Sequence, residues 1–233
     1  MNKEYYCIIA CGGHGTRMKS DLPKQFLRLA DKTILQLTLE KLENAIRGMK
    51  FILVLPREYT EYWRNECDKS SILVNHMIVQ GGITRFHSVK NALEKVPENA
   101  IVGVHDAVRP FVGPELVRRL YEEAEISRAA VPVVPVTDTV KVLDTQLCEI
   151  EGANVDRSVL YGAQTPQVFD AAILKEAYSQ PYMQNFTDDA SVVRAAGFPV
   201  KYIPGEKYNL KITTPEDLTI AAMIAAPAGG RLG

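Results

Sequence analysis

Short apolar, β-rich runs alternate with helix-periodic segments along most of this chain, and that alternation narrows the choice of folds more than any other feature. The runs fall at 5–10, 51–55, 77–79, 101–104, 129–136 and 200–203. Between them Ile34, Leu35, Thr38, Leu39 and Leu42 line one face of a helix, and the segments 59–67, 88–95 and 116–124 read the same way. The pattern predicts a Rossmann-like α/β architecture: a mostly parallel sheet with helices on both faces. Right-handed crossovers then bring the loops that follow the strands to one edge, where such sheets bind ligands. The length, 233 residues, suits one domain spanning 1–233. One stretch, 137–157, breaks the alternation. Its strand-like pieces near 140–143 and 149–150 are joined by Asp144-Thr145-Gln146 and predict a projecting β-hairpin arm.

Three of the post-strand loops carry candidate chemistry. The first runs Cys11-Gly12-Gly13-His14-Gly15-Thr16-Arg17-Met18 and is followed by Pro23-Lys24-Gln25. Glycines at 12, 13 and 15 let backbone N–H groups approach a polyphosphate, and Arg17 and Lys24 supply neutralising charge. A dinucleotide fingerprint would need Gly or Ala where Met18 stands, and a P-loop would need a Gly-Lys-Ser/Thr triplet that the chain lacks. The second loop is Gly81-Gly82-Ile83-Thr84-Arg85-Phe86-His87-Ser88. Its glycines can turn backbone groups toward a base and Ser88 can add a hydroxyl, or Gly82 and Thr84 can simply end a strand and cap a helix near Arg85. Arg85 is either a phosphate ligand or an ion-pair partner. The third is His105-Asp106-Ala107-Val108-Arg109-Pro110, where an acid at a strand end suits a Mg²⁺-nucleotide contact, direct or through water.

Beyond these, Arg157 follows the arm and can reach a phosphate or pair with a local acid. Lys211 reads as part of a strand and as a candidate phosphate ligand, and 187–191 reads as a helix N-cap with acids in its first turn. Thr214 reads as an N-cap with Pro215 at the first helical position.

Composition excludes several other classes. Net charge is −1 without like-charge blocks, so the footprint of a nucleic-acid binder is missing and any phosphate site must be a local cluster of cations. No apolar run approaches a membrane span or the core of a signal peptide. Cys7, Cys11, Cys67 and Cys148 form no CxxC pair, which predicts free thiols in a cytoplasmic protein.

Taken in order, Gly-Gly-His-Gly-Thr-Arg-Met, Pro-Lys-Gln, Gly-Gly-x-x-Arg-x-x-Ser-Val, His-Asp-Ala-x-Arg-Pro, Asp-Arg, Gln-Thr-Pro-Gln, Thr-Asp-x-Ala-Ser and Lys-Ile-Thr-x-Pro-Glu-Asp-Leu resemble the 2-C-methyl-D-erythritol 4-phosphate cytidylyltransferases from about residue 8 to 218. The resemblance implies the nucleotide-diphospho-sugar transferase type of fold and transfer of CMP from CTP to methylerythritol phosphate with Mg²⁺. It implies that Arg17 and Lys24 stabilise the transition state at the α-phosphate. Gly82, Ile83, Ser88 and Ala107 would hold cytosine, and Asp106 would touch ribose or Mg²⁺. Thr139, Arg157, Thr165 and Lys211 would hold the acceptor. It further implies a homodimer in which the arms exchange, so that Arg157 serves the partner's site. The departures from the family pattern are Ile83 where an acidic or polar residue is frequent, Tyr161 in place of Trp, and Val108 in place of Ala. Ribitol 5-phosphate cytidylyltransferase is the nearest alternative, with a dinucleotide-dependent oxidoreductase and a non-catalytic nucleotide sensor further away.

Overall fold

Strand β1 (Tyr5–Ala10) lies inside the sheet, with Cys7 and Ile9 pointing into one hydrophobic cluster and Ile8 into the other. Both faces of the strand are buried, which is why it reads as an unbroken apolar run rather than an alternating one. The structure is a computed structural model that describes residues 3–12, 22–150, 152 and 155–226. After β1 come a small hairpin, β2 (Arg28–Leu29) and β3 (Lys32–Thr33), and then α1 (Ile34–Ala45), β4 (Lys50–Leu55), α2 (Thr60–Lys69), β5 (His76–Gln80) and α3 (Arg85–Leu93). The chain continues through β6 (Ile101–Asp106), α4 (Pro114–Ser127) and β7 (Ala129–Pro135). It ends with β8 (Tyr161–Ala163), β9 (Gln167–Asp170), α5 (Ala171–Ser179), α6 (Asp189–Ala195), β10 (Lys201–Pro204) and α7 (Pro215–Ala225).

Among the described residues the main sheet has eight strands in the order β10-β7-β9-β6-β1-β4-β5, with β8 paired to β7. Helices α1, α2 and α4 cover one face through Leu39, Trp63 and Leu120, and α3, α5 and α6 cover the other through Val89, Leu174 and Val193. All six runs anticipated from the sequence are strands of this sheet. The sequence reading did not find β8 and β9. They run antiparallel to β7, and β9 also pairs antiparallel with β6, so it wedges between two strands that point the same way. Both are short, and β8 is exposed, so neither presents the long apolar run that marks a buried parallel strand.

Helix starts follow local side-chain chemistry. The Thr33 hydroxyl accepts from Gln36 N at 3.1 Å to open α1, and Asp188 accepts from Ser191 N at 2.8 Å to open α6. Thr214 and Asp217 form a reciprocal capping box at α7 with Pro215 in its first turn. Thr214→Ala is expected to cost about 1 kcal/mol, because one N-terminal N–H loses its acceptor; urea unfolding measures it.

The arm is a hairpin without regular strands. Leu143 bridges Glu149, Ile150 N donates to Val142 O at 3.1 Å, and the Asp144 carboxylate accepts from Gln146 N and Cys148 N at the turn. Residues 143–150 are all exposed.

Parallel register aligns Ala10 with both Val54 and Asp106, and Leu55 with Gln80. The ends of β1, β4, β5 and β6 therefore share one edge. Because β9 is antiparallel, its beginning (Gln167 beside Val104) lies at that same edge, as do the ends of β7 and β10.

Candidate active site

Where the loops after β1 and β5 meet, the edge is floored by small residues. A Cβ on Gly12 would lie 3.8 Å from Ser88 Oγ and one on Gly81 3.4 Å from it, so the loops after β1 and β5 meet over this hydroxyl. Ser88 Oγ accepts from Gly82 N at 3.0 Å. At Gly82 a Cβ would lie 2.5 Å from His87 Cβ and 2.9 Å from its carbonyl carbon, a clash with helix backbone that only glycine avoids. Thr84 caps α3, as the capping reading expected. Ile83 is 96% exposed. Ala107 is buried, with its N–H donating to Ala10 O at 3.2 Å. The turn that carries Lys24 is fastened to the same strand end, since Gln25 Nε2 donates to Cys11 O at 2.8 Å and Phe26 packs beside Trp63. Gly13, Gly15 and Arg17 lie outside the described residues.

The adjoining part of the edge is centred on Asp106. Its Oδ2 meets Arg109 Nε at 3.1 Å and Lys211 Nζ at 3.1 Å. Burial pushes the carboxyl pKa up, but Lys211, Arg85 and Arg109 outweigh it and hold the group well below the ordinary range, as a carboxylate. Lys211 does not sit in a strand. It belongs to an irregular segment after β10, held by Ile212 N donating to Val108 O at 2.9 Å and Arg109 Nη1 donating to Asn209 O at 2.8 Å. The alternation Leu210-Lys211-Ile212 mimics a strand, but the segment's backbone is tied to loops.

Beneath Asp106, Thr165 Oγ1 accepts from Asp106 N at 3.0 Å and lies 2.9 Å from His105 Nδ1. Arg109 O can only accept, so His105 Nε2 carries the ring proton and donates to it at 3.2 Å, and Nδ1 accepts from the Thr165 hydroxyl. Both contacts of Thr165 Oγ1 support the end of β6 that carries Asp106. Burial pushes the His105 imidazole down to about 4, whereas the unfolded chain binds that proton near 6.5. The folded pKa is the lower one, so the unfolded state takes up the proton first and stability falls as pH drops from about 6.5 toward 4. Between pH 7 and pH 5 this loss is expected to be about 2 kcal/mol in urea unfolding. A His105→Gln variant should lack that component of the pH slope.

Comparison with known proteins decides the family. The model of the 2-C-methyl-D-erythritol 4-phosphate cytidylyltransferase family matches residues 5–226. The chain belongs to that family. The cytidylyltransferase of Bacteroides fragilis is 46% identical over 217 residues, covering 93% of this chain and 97% of the relative. That of Bacteroides thetaiotaomicron is 47% identical with the same coverage. The crystal structure of the Francisella tularensis cytidylyltransferase superposes with a TM-score of 0.76 at 32% identity, covering 95% of this chain and 99% of that one.

As a cytidylyltransferase, the chain brings Gly12, Gly82, Ser88, Asp106, Ala107 and Lys211 to one edge, as the sequence reading expected. It does not bring Thr139 and Arg157 into the Asp106 cluster. Both lie exposed on the arm, where Arg157 Nη1 donates to Thr137 O at 2.9 Å and closes the arm's base. Arg85 is an ion-pair partner: Nη1 and Nη2 grip the fully buried Asp189 at 3.0 and 2.5 Å. Sequence reasoning gave no role to Gln25, whose place directly after Lys24 was the available signal. It had none for Asn209, which meets Arg109 only through the fold.

The residues fit a Mg²⁺ ion carried in by a nucleotide rather than one caged by protein. Asp106 is an ionised carboxylate at the edge, and both its cation contacts fall on Oδ2. Among the described residues no three His, Cys, Asp or Glu side chains gather as a ligand set. Mg²⁺ commonly takes one or two carboxylates and completes its shell with phosphate oxygens and water.

Proposed function

We propose that this chain transfers CMP from CTP to 2-C-methyl-D-erythritol 4-phosphate and releases pyrophosphate, a step of non-mevalonate isoprenoid synthesis. The observation that carries the reading is the arrangement, on one sheet edge of a member of this family, of the Gly82–Ser88 ledge beside the Asp106–Lys211 pair. A phosphate oxygen of the acceptor attacks the α-phosphorus of CTP, a new P–O bond forms, and the bond to the β-phosphate breaks. No general base is required, because a phosphate monoester with a second pKa of about 6 is already mostly dianionic at neutral pH. The obstacle is negative charge, and preorganised cations offset it.

In this reading Gly12, Gly13 and Gly15 present N–H groups to the triphosphate, and Arg17 and Lys24 stabilise charge at the α-phosphate. The ledge of Gly82, Ile83 and Ser88, with Ala107, holds cytosine, while Asp106 holds ribose or Mg²⁺. Bound Mg²⁺ would supply further neutralisation of the phosphate oxygens. Lys211, aided by Thr165 through Asp106, holds the acceptor phosphate. Thr139 and Arg157 complete the acceptor site of a second subunit across a homodimer formed by the arms. The exposed apolar side chains Leu143, Leu147, Ile150 and Val159 on and beside the arm support such a contact. The whole chain, 1–233, acts as one catalytic domain in the cytoplasm. No helix among the described residues is long and apolar enough to cross a membrane.

The ribitol phosphate alternative is not favoured, since the matched family and the relatives described above carry the methylerythritol name. Pyrophosphate release from CTP with the two acceptors in competition tests the reading. Methylerythritol phosphate should be consumed first. Preference for ribitol 5-phosphate would change the acceptor, and CTP binding without pyrophosphate release from either would leave a nucleotide sensor.

A further inference from the structure

Lys211 reaches Asp106 from an irregular segment that no strand pairing holds. Two buried amides hold it instead. Gln164 Nε2 donates to Glu206 O at 2.8 Å while Gln164 Oε1 accepts from Glu206 N at 3.1 Å, so one side chain pairs both backbone groups of Glu206 as a neighbouring strand would. Asn209, fully buried, donates through Nδ2 to Thr165 O at 2.8 Å and accepts Arg109 Nη1 on its backbone oxygen at 2.8 Å. Thr165 and Arg109, which both touch Asp106, are thereby linked to the segment that delivers Lys211. Gly205 shows how closely the clamp fits, because a Cβ there would lie 2.5 Å from Gln164 Oε1.

We propose that Gln164 and Asn209 are positioning residues for the cytidylyl transfer, fixing the Lys211 ammonium beside Asp106 so that the acceptor phosphate meets a preformed cation. The inference rests on the reading that Lys211 binds the acceptor. Neither side chain need touch a substrate. Each acts by denying the 205–213 segment other placements, and a displacement of about 1 Å at a reacting group can cost on the order of 10²-fold in rate.

The test uses the full chain with CTP, Mg²⁺ and methylerythritol phosphate, and compares Gln164→Met, Asn209→Leu, Lys211→Ala and the doubles that combine either amide variant with Lys211→Ala. Gln164→Met keeps length and apolar contact while removing the clamp. The expected result is a rise of about 10-fold or more in KM for the acceptor with KM for CTP within about twofold. The doubles should be no worse than Lys211→Ala alone, because the amides act through that lysine. Retained CTP affinity and cooperative unfolding report an intact fold. If Gln164→Met does not fold, Gly205→Ala gives the same reading by pushing the clamp apart without removing a polar group. Parallel losses in both KM values, no change in either, or additive losses in the doubles overturn the positioning role. An unchanged acceptor KM in Lys211→Ala removes the lysine from the acceptor site and the inference with it, whereas a raised one with silent Gln164 and Asn209 variants removes the inference alone.

Discussion

Lys24→Ala is expected to lower kcat by about 10²-fold or more, the scale for removing one preorganised electrostatic contact from a transition state. Gln25 and Phe26, which follow Lys24 directly, are both buried and tie the turn to the end of β1 and to the aromatic cluster around Trp63. The lysine is therefore carried on a turn that its neighbours fix. Single-turnover rates with saturating CTP measure the effect, and an unfolding curve checks that the variant folds. A variant that folds and turns over at the parent rate would take Lys24 out of the mechanism.

Arg85→Ala should act in the opposite way, chiefly on stability. Asp189 is fully buried and its carboxylate is gripped by both terminal nitrogens of Arg85 and by Tyr178 OH at 2.6 Å. Removing the arginine strands a carboxylate away from water, which costs about 3 kcal/mol or more when one partner of a buried pair is lost. Chemical denaturation should show that loss, with a smaller change in CTP affinity that follows from slackening at the start of α3. Near-parent stability combined with a large loss of CTP binding would instead make Arg85 a phosphate ligand.

The Arg85 question shows where sequence reading stops. Its partner lies 104 positions away, and nothing in the local composition around residue 85 distinguishes a guanidinium aimed at phosphate from one aimed at a buried acid. The strand ends and helix starts were legible because their signals are local: apolar runs that empty into glycine loops, and caps such as Thr84 and Thr214 whose partners lie three residues away. The arm was legible for the same reason, as Asp144 organises its turn through neighbours within four residues. The rest of the edge was legible only in its residue types. Lys211 reads as a strand residue because Leu210 and Ile212 flank it, yet hydrogen bonds of the Gln164 and Asn209 amides shape that segment, and these bonds span more than 40 positions. Strands β8 and β9 escaped notice because three- and four-residue antiparallel pieces have no room to display a period.

The wedged strand β9 has a consequence for how such an enzyme can change. On one side of it, β6, β1, β4 and β5 present the groups proposed to read the nucleotide; on the other, β7 and β10 lead into the segments proposed to read the acceptor. On that proposal, recognition of the donor and of the recipient is written on separate stretches of polypeptide that share little beyond Asp106. Substitutions that retune the preference for one polyol over another can accumulate in the second stretch while the machinery for cytosine stays intact.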